Sequence, residues 1–115
     1  MKIIVFIISI LLLWIISPLF IIYAFVKFIF KKGLTDYLYN TAISIDQLGN
    51  VIGAPIMNDL LITNKSNKLF GNPDETISHT LGFNFNNKTL TKLGYIIVFI
   101  LNSIDENHVQ KAVLK

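Results

Sequence analysis

Residues 3–26 form a continuous run without a single charged side chain. As an α-helix, a run of this length extends about 36 Å, which is enough to cross a hydrocarbon core of about 30 Å. It is about twice as long as the apolar part of a cleavable signal peptide, and no cleavage site of small residues follows it. The sequence therefore predicts a transmembrane helix that contains Ile3, Trp14, Pro18 and Val26.

The net charge of +3 is unevenly distributed along the chain. Residues 1–32 contain four lysines and no acid, whereas residues 33–115 contain six lysines and seven acids, so the two parts carry +4 and −1. We therefore divide the chain into an anchor, 1–32, and an extramembrane domain, 33–115. The domain has no basic excess and the chain has no arginine, so we expect no nucleic-acid partner. The absence of cysteine excludes disulfides, a thiol nucleophile and cysteine-ligated zinc.

The lysines that flank the anchor predict its orientation. Lys27, Lys31 and Lys32 follow the apolar run, whereas only Lys2 and the amino terminus precede it. The positive-inside rule therefore places the carboxyl-terminal domain in the cytoplasm, with the lipid bilayer as the first partner. The run contains no glycine, so no G-x-x-x-G contact indicates self-association, and a homo-oligomer stays open.

Apolar residues at helical spacing predict that the domain is mainly α-helical. One helix is expected over residues 34–48 and another from Thr89 to about residue 104. The run 56–62 fits either a helical turn or a strand, and a strand is the alternative for residues 95–101, because isoleucine, valine and aromatic residues favour sheets. The polar tract 64–68 is predicted to be a loop.

Capping signals predict where the remaining helices begin. Asn72 is a suitable N-cap, Pro73 suits the first helical position, and Glu75 completes a capping box. These residues predict a helix over 73–81 that Gly82 ends. Asp105 is expected to cap a last short helix near the carboxyl end.

Few residues are candidates for chemistry. Asp74, Glu75 and His108 are the candidates for a carboxylate–imidazole metal site, but they lack the spacing of a known metal motif. Ser78 and His79 are neighbours on a predicted helix, where adjacent side chains point about 100° apart, so they do not form a triad. No phosphate-binding loop is present. We therefore expect no catalytic residue, no metal and no cofactor.

Several strings of the domain resemble a family of small, uncharacterised phage and prophage proteins. The resemblance covers residues 43–113 and is carried by DQLGN at 46–50, NDLLI at 58–62, FGNPDETIS at 70–78, TLT at 89–91, and Ile104-Asp105 with His108. His108 matches the family pattern, whereas His79 departs from it. The family has no established activity, so the resemblance implies a phage-encoded protein of the bacterial envelope and does not imply a reaction.

These observations together predict a non-enzymatic, single-pass protein of the host inner membrane. Its cytoplasmic domain would bind another protein, in host takeover or superinfection exclusion. The predicted binding residues are polar and belong to two of the strings above: Asp46, Gln47, Asn50, Asn72, Asp74, Glu75, Thr76 and Ser78. The alternatives are a holin-like lysis protein or lysis regulator, a membrane-anchored metal-dependent hydrolase, and a virion component that acts in genome ejection.

Overall fold

The computed structural model describes residues 1–29 and 32–114. The part of the topology prediction that rests on Lys31 lies outside these residues. Within them the chain forms six α-helices: α1 (Lys2–Phe28), α2 (Leu34–Ile52), α3 (Ala54–Leu60), α4 (Ile77–Asn86), α5 (Lys92–Ile104) and α6 (His108–Val113). The described residues form no strand, and an isolated bridge joins Ile62 to Leu90. The mainly helical fold is therefore confirmed, and residues 95–101 are helical.

The chain divides into two compact units, Met1–Asn40 and Thr41–Lys115. The first contains α1, a helix of 27 residues that continues through Pro18. The apolar stretch of α1 is exposed, and Trp14 is 75% exposed. Near the carboxyl end of α1, the ring of Phe28 lies 5.8 Å from that of Tyr37. α1 is long and apolar enough to cross a membrane.

The second unit has a small apolar core beneath α4, α5 and α6. Its buried members come from these helices, from the α4–α5 connection and from the segment between α3 and α4: Leu61, Ile62, Phe70, Leu81, Leu90, Val98 and Val109. α4 packs against both α5 and α6. The core is therefore built from the carboxyl half of the chain, and it fixes the position of the first turns of α4 and α6.

Gly82 lies within α4, so the prediction that it ends a helix is wrong. A Cβ atom at Gly82 would overlap the carbonyl oxygen of Val109 and the side chain of Val113. The missing side chain thus allows the backbone of α6 to approach α4 closely. The sequence signal was a glycine near an expected helix end, and tertiary packing gives the same residue a different role.

The predicted start of this helix is also wrong. α4 begins at Ile77, and its N-cap is Thr76, whose Oγ1 accepts a 3.1 Å hydrogen bond from the N–H of His79. Asn72 Oδ1 instead accepts from the N–H of Asp74 at 3.0 Å and closes a local turn. Asparagine and threonine are both good N-caps, and contacts from α2 to the intervening loop decide between them.

Two further helix starts differ from the prediction. α5 is capped by Thr91, whose Oγ1 accepts from the N–H of Gly94 at 3.2 Å, because Leu90 is held in the bridge to Ile62. α6 is preceded by Asn107, which has a left-handed backbone with φ of 56°. Asp105 is the C-cap of α5 and is not the N-cap of α6. The predicted helix over residues 34–48 and the loop over 64–68 are confirmed.

Candidate functional site

The loop that precedes α4, residues 71–76, is held by one buried amide of α2. Asn50 is fully buried, and its Nδ2 donates to the carbonyl oxygens of Asn72 at 3.0 Å and Glu75 at 2.8 Å. Its Oδ1 accepts from the N–H of Gly71 at 3.2 Å. One side chain therefore supplies hydrogen-bond partners to three backbone groups of the loop. The buried amide of Asn50 is itself satisfied by these bonds, as buried polar groups generally are.

Two neighbours of Asn50 on α2 extend this contact. Asp46 Oδ1 accepts from the N–H of Ile77, the first residue of α4, at 3.0 Å. Gln47 Nε2 donates to the carbonyl oxygen of Asp74 at 3.2 Å. The carboxylate of Asp46 also lies at the positive end of the α4 dipole. The DQLGN string of α2 and the FGNPDETIS string thus fit each other, and α2 fixes where α4 begins.

Two more asparagines hold loops in the same manner. Asn58 accepts from the N–H of Phe70 at 2.7 Å and donates to its carbonyl at 3.2 Å. Asn84 is 1% exposed, and its Nδ2 donates to the carbonyls of Lys68 and Thr80, both at 2.9 Å. We name Asn50, Asn58 and Asn84 the amide clamps. The sequence offered no signal for Asn84, because it follows Gly82, which was predicted to end the helix.

The residues predicted to bind a partner therefore have internal contacts as well. The side chains of Asp46, Gln47 and Asn50 bond to backbone groups of the loop, and Thr76 caps α4. Asn72 and Asp74 lie on the exposed part of the loop. A role of these residues in binding a partner stays a prediction. Within the fold, the side chains from α2 hold the loop and Thr76 caps α4.

Glu75 and His79 form a polar group at the start of α4. His79 Nε2 lies 3.1 Å from Glu75 Oε2, Glu75 also pairs with Lys68, and His79 Nδ1 lies 3.1 Å from the carbonyl of Ala112. The candidate metal ligands are not gathered into one cluster: in the described part of the chain, no group of three or more histidine and acidic side chains is placed to hold a metal ion.

The structure brings together three residues that the sequence analysis did not combine. Ser78 Oγ lies 2.9 Å from His108 Nε2, and His108 Nδ1 lies 3.0 Å from Asp105 Oδ2. Ser78 is the second residue of α4 and is 6% exposed. His108 begins α6, and Asp105 lies in the turn before it. We name this set the Ser78–His108–Asp105 relay.

Asp105 has a second partner at the open end of the relay. Lys111 Nζ donates to Asp105 Oδ1 at 2.8 Å. The hydrogen bonds from Lys111 and from His108 hold the pKa of the Asp105 carboxyl below its usual value. Asp105 is therefore ionised at neutral pH and accepts a hydrogen bond at each oxygen. The local spacing of Asp105 and His108 was visible in the sequence, but Ser78 lies 30 residues before His108.

A separate feature of this unit is the exposed side of α5. Six large apolar or aromatic side chains face outward on a helix of 13 residues, and we name them the α5 face: Leu93, Tyr95, Ile96, Phe99, Ile100 and Ile104. Phe99 is 73% exposed and Ile104 is 80% exposed. The opposite side of α5, with Gly94 and Val98, is buried. A contiguous apolar surface of this kind is a candidate interaction site.

Comparisons with known proteins found no matching family model, no similar curated protein and no similar solved structure.

Proposed function

We propose that this chain is a phage- or prophage-encoded, single-pass protein of the host inner membrane whose cytoplasmic helical unit binds another protein. The α5 face is the observation that carries the proposal. A helix that buries Val98 in the core while it exposes Phe99 and Ile104 has two apolar sides, and the core uses one of them. The proposed role is host takeover or superinfection exclusion, and partner binding requires no catalytic step.

The anchor supports this role because it would tether the second unit to the membrane. α1 has the length and apolarity of a membrane span, and the lysines that flank it favour a cytoplasmic domain. The expected partner is a protein with an apolar groove or helix, because such a surface gains most from covering aliphatic and aromatic side chains. The exposed residues Asn72 and Asp74 add polar groups to the surface of the same unit.

Site-specific photo-crosslinking of the intact chain in host membranes tests the proposal. A photoreactive phenylalanine analogue at Phe99 is expected to give a defined protein adduct. The same analogue at Lys65, which is exposed in the polar loop, is the matched control. An identified partner should also bind the purified chain, and Phe99→Asp should weaken that binding about 10- to 150-fold, since burial of a phenylalanine contributes about 1.5–3 kcal/mol. Equal adducts at both positions, or unchanged affinity of Phe99→Asp, would refute it.

A further inference from the structure

We propose that Ser78 is a nucleophilic serine, activated by His108 and positioned through Asp105, that is acylated by small carboxylic esters. This activity goes beyond the proposed binding function and does not depend on it. Three side chains from two helices and the turn between α5 and α6 form one line of hydrogen bonds: Oγ to Nε2 at 2.9 Å, and Nδ1 to Oδ2 at 3.0 Å. Both distances are those of good hydrogen bonds.

The partners on each side of His108 determine which ring nitrogen carries the proton. An ionised carboxylate only accepts hydrogen bonds, so His108 Nδ1–H donates to Asp105 Oδ2. When the ring carries only this proton, Nε2 has a free lone pair and accepts the hydrogen bond that the Ser78 hydroxyl donates. This is the tautomer that a general base for serine requires. Lys111 occupies the other carboxylate oxygen, Oδ1, and so fixes the orientation of Asp105.

The chemical step balances within these residues and the ester. Ser78 Oγ attacks the carbonyl carbon while its proton moves to His108 Nε2. The tetrahedral intermediate then breaks the ester C–O bond, and His108 returns the proton to the departing alkoxide, so an alcohol leaves and Ser78 is acylated. In the second half-reaction, His108 removes a proton from water and the resulting oxygen attacks the acyl carbon. The bond between the acyl carbon and Ser78 Oγ then breaks, His108 returns the proton to Oγ, and the carboxylic acid is released with Ser78 regenerated.

The surroundings of Ser78 define which esters fit. Only 6% of Ser78 is exposed, so a small acyl group such as acetyl reaches Oγ more readily than a long chain. Two amides of the first turn of α4 are already bonded: Asp46 accepts from the N–H of Ile77, and Thr76 accepts from that of His79. The intermediate therefore receives little stabilisation from amide donors, which are usually a large term in acyl transfer. We accordingly expect acylation by activated esters and slow turnover.

The experiment measures acylation of the intact chain in detergent micelles by p-nitrophenyl acetate, with the modified residues identified by peptide mass spectrometry. Ser103 is the matched control within the same chain, because its hydroxyl is exposed and donates at 2.7 Å to the carbonyl of Phe99, without a histidine beside it. Ser78 should be acetylated roughly 100-fold faster than Ser103 or more, which is the gain that a positioned general base gives. Equal rates at the two serines in the native chain would overturn the proposal.

Variants separate nucleophilic activation from a purely structural contact. His108→Ala should lower the rate at Ser78 to that of Ser103, and added imidazole should restore part of it. Asp105→Asn should lower the rate at least about 10-fold, whereas Asp105→Glu, which keeps the carboxylate, should retain most of it. Far-UV circular dichroism shows whether each variant remains folded. If folded His108→Ala reacts like the wild type, Ser78 is not activated by His108 and the proposal is wrong.

Discussion

Replacement of Asn50 by alanine tests whether the amide clamp of α2 holds the loop before α4. The change removes three hydrogen bonds, to Gly71 N–H, Asn72 O and Glu75 O, from a fully buried position. A net contribution of about 1 kcal/mol for each bond gives a loss of about 3 kcal/mol. That is a large part of the roughly 5–15 kcal/mol by which a domain is stable, and it raises the unfolded fraction about 150-fold.

Urea unfolding of the intact chain in mild detergent, followed by far-UV circular dichroism, measures this loss. With an m-value of about 1 kcal/mol per molar urea, the midpoint should fall by about 3 M. Asn67→Ala is the matched control, because Asn67 is exposed, and its effect should stay within about 0.5 kcal/mol. Asn50→Asp keeps the volume and the bond from Gly71 but loses the two donated bonds, so it should be nearly as damaging. A loss below about 1 kcal/mol for Asn50→Ala would refute the clamp.

Three further predictions concern packing, acidity and topology. Gly82→Ala should destabilise the second unit by about 1–3 kcal/mol and speed amide hydrogen exchange in α6, because the new methyl overlaps Val109. Gly49→Ala is the control and should cause neither effect, because its Cβ meets only an ordinary van der Waals contact. The pKa of Asp105 is lowered by Lys111 and His108, so the stability difference between wild type and Asp105→Asn should be constant above the usual pKa of 3.8. This difference should vanish as the pH falls through the lower pKa of the folded state. Urea titrations across that pH range measure it, and a difference that grows on acidification would contradict the prediction. A fluorescent protein fused at the carboxyl end should fluoresce and an alkaline phosphatase fusion should be inactive, and the opposite pattern would place the domain outside the cytoplasm.

Features that depend on a continuous stretch of sequence were predictable. The apolar run at residues 3–26 alone specifies a long helix, and α1 has nearly the same extent. The helical periodicity after Thr89 similarly predicted α5, although Thr91 is its cap. Local pattern decides these elements because each helix satisfies its own backbone, and the apolar spacing then selects the face that is buried.

Features that depend on distant residues were not predictable in this way. The choice between Asn72 and Thr76 as the cap of α4 is made by Asn50 and Asp46, more than twenty residues earlier in the chain. Gly82 was interpreted as a helix end because its contact with α6 has no local signature. The relay was missed for the same reason: Ser78 was compared with its neighbour His79, but helix packing brings it to His108.

The amide clamps have a consequence for the conditions that this fold tolerates. The segment 61–76 is long and irregular, and the chain has no cysteine that would tie it down. Asn50, Asn58 and Asn84 connect it to the helices through neutral amide groups, which neither gain nor lose a proton near neutral pH and are not screened by salt. They also have no sulfur to oxidise or reduce. The backbone groups that these amides hold should therefore keep their positions through changes in ionic strength and redox state, whereas the contacts of Asp46 and the Glu75–Lys68 pair are the ones that salt weakens.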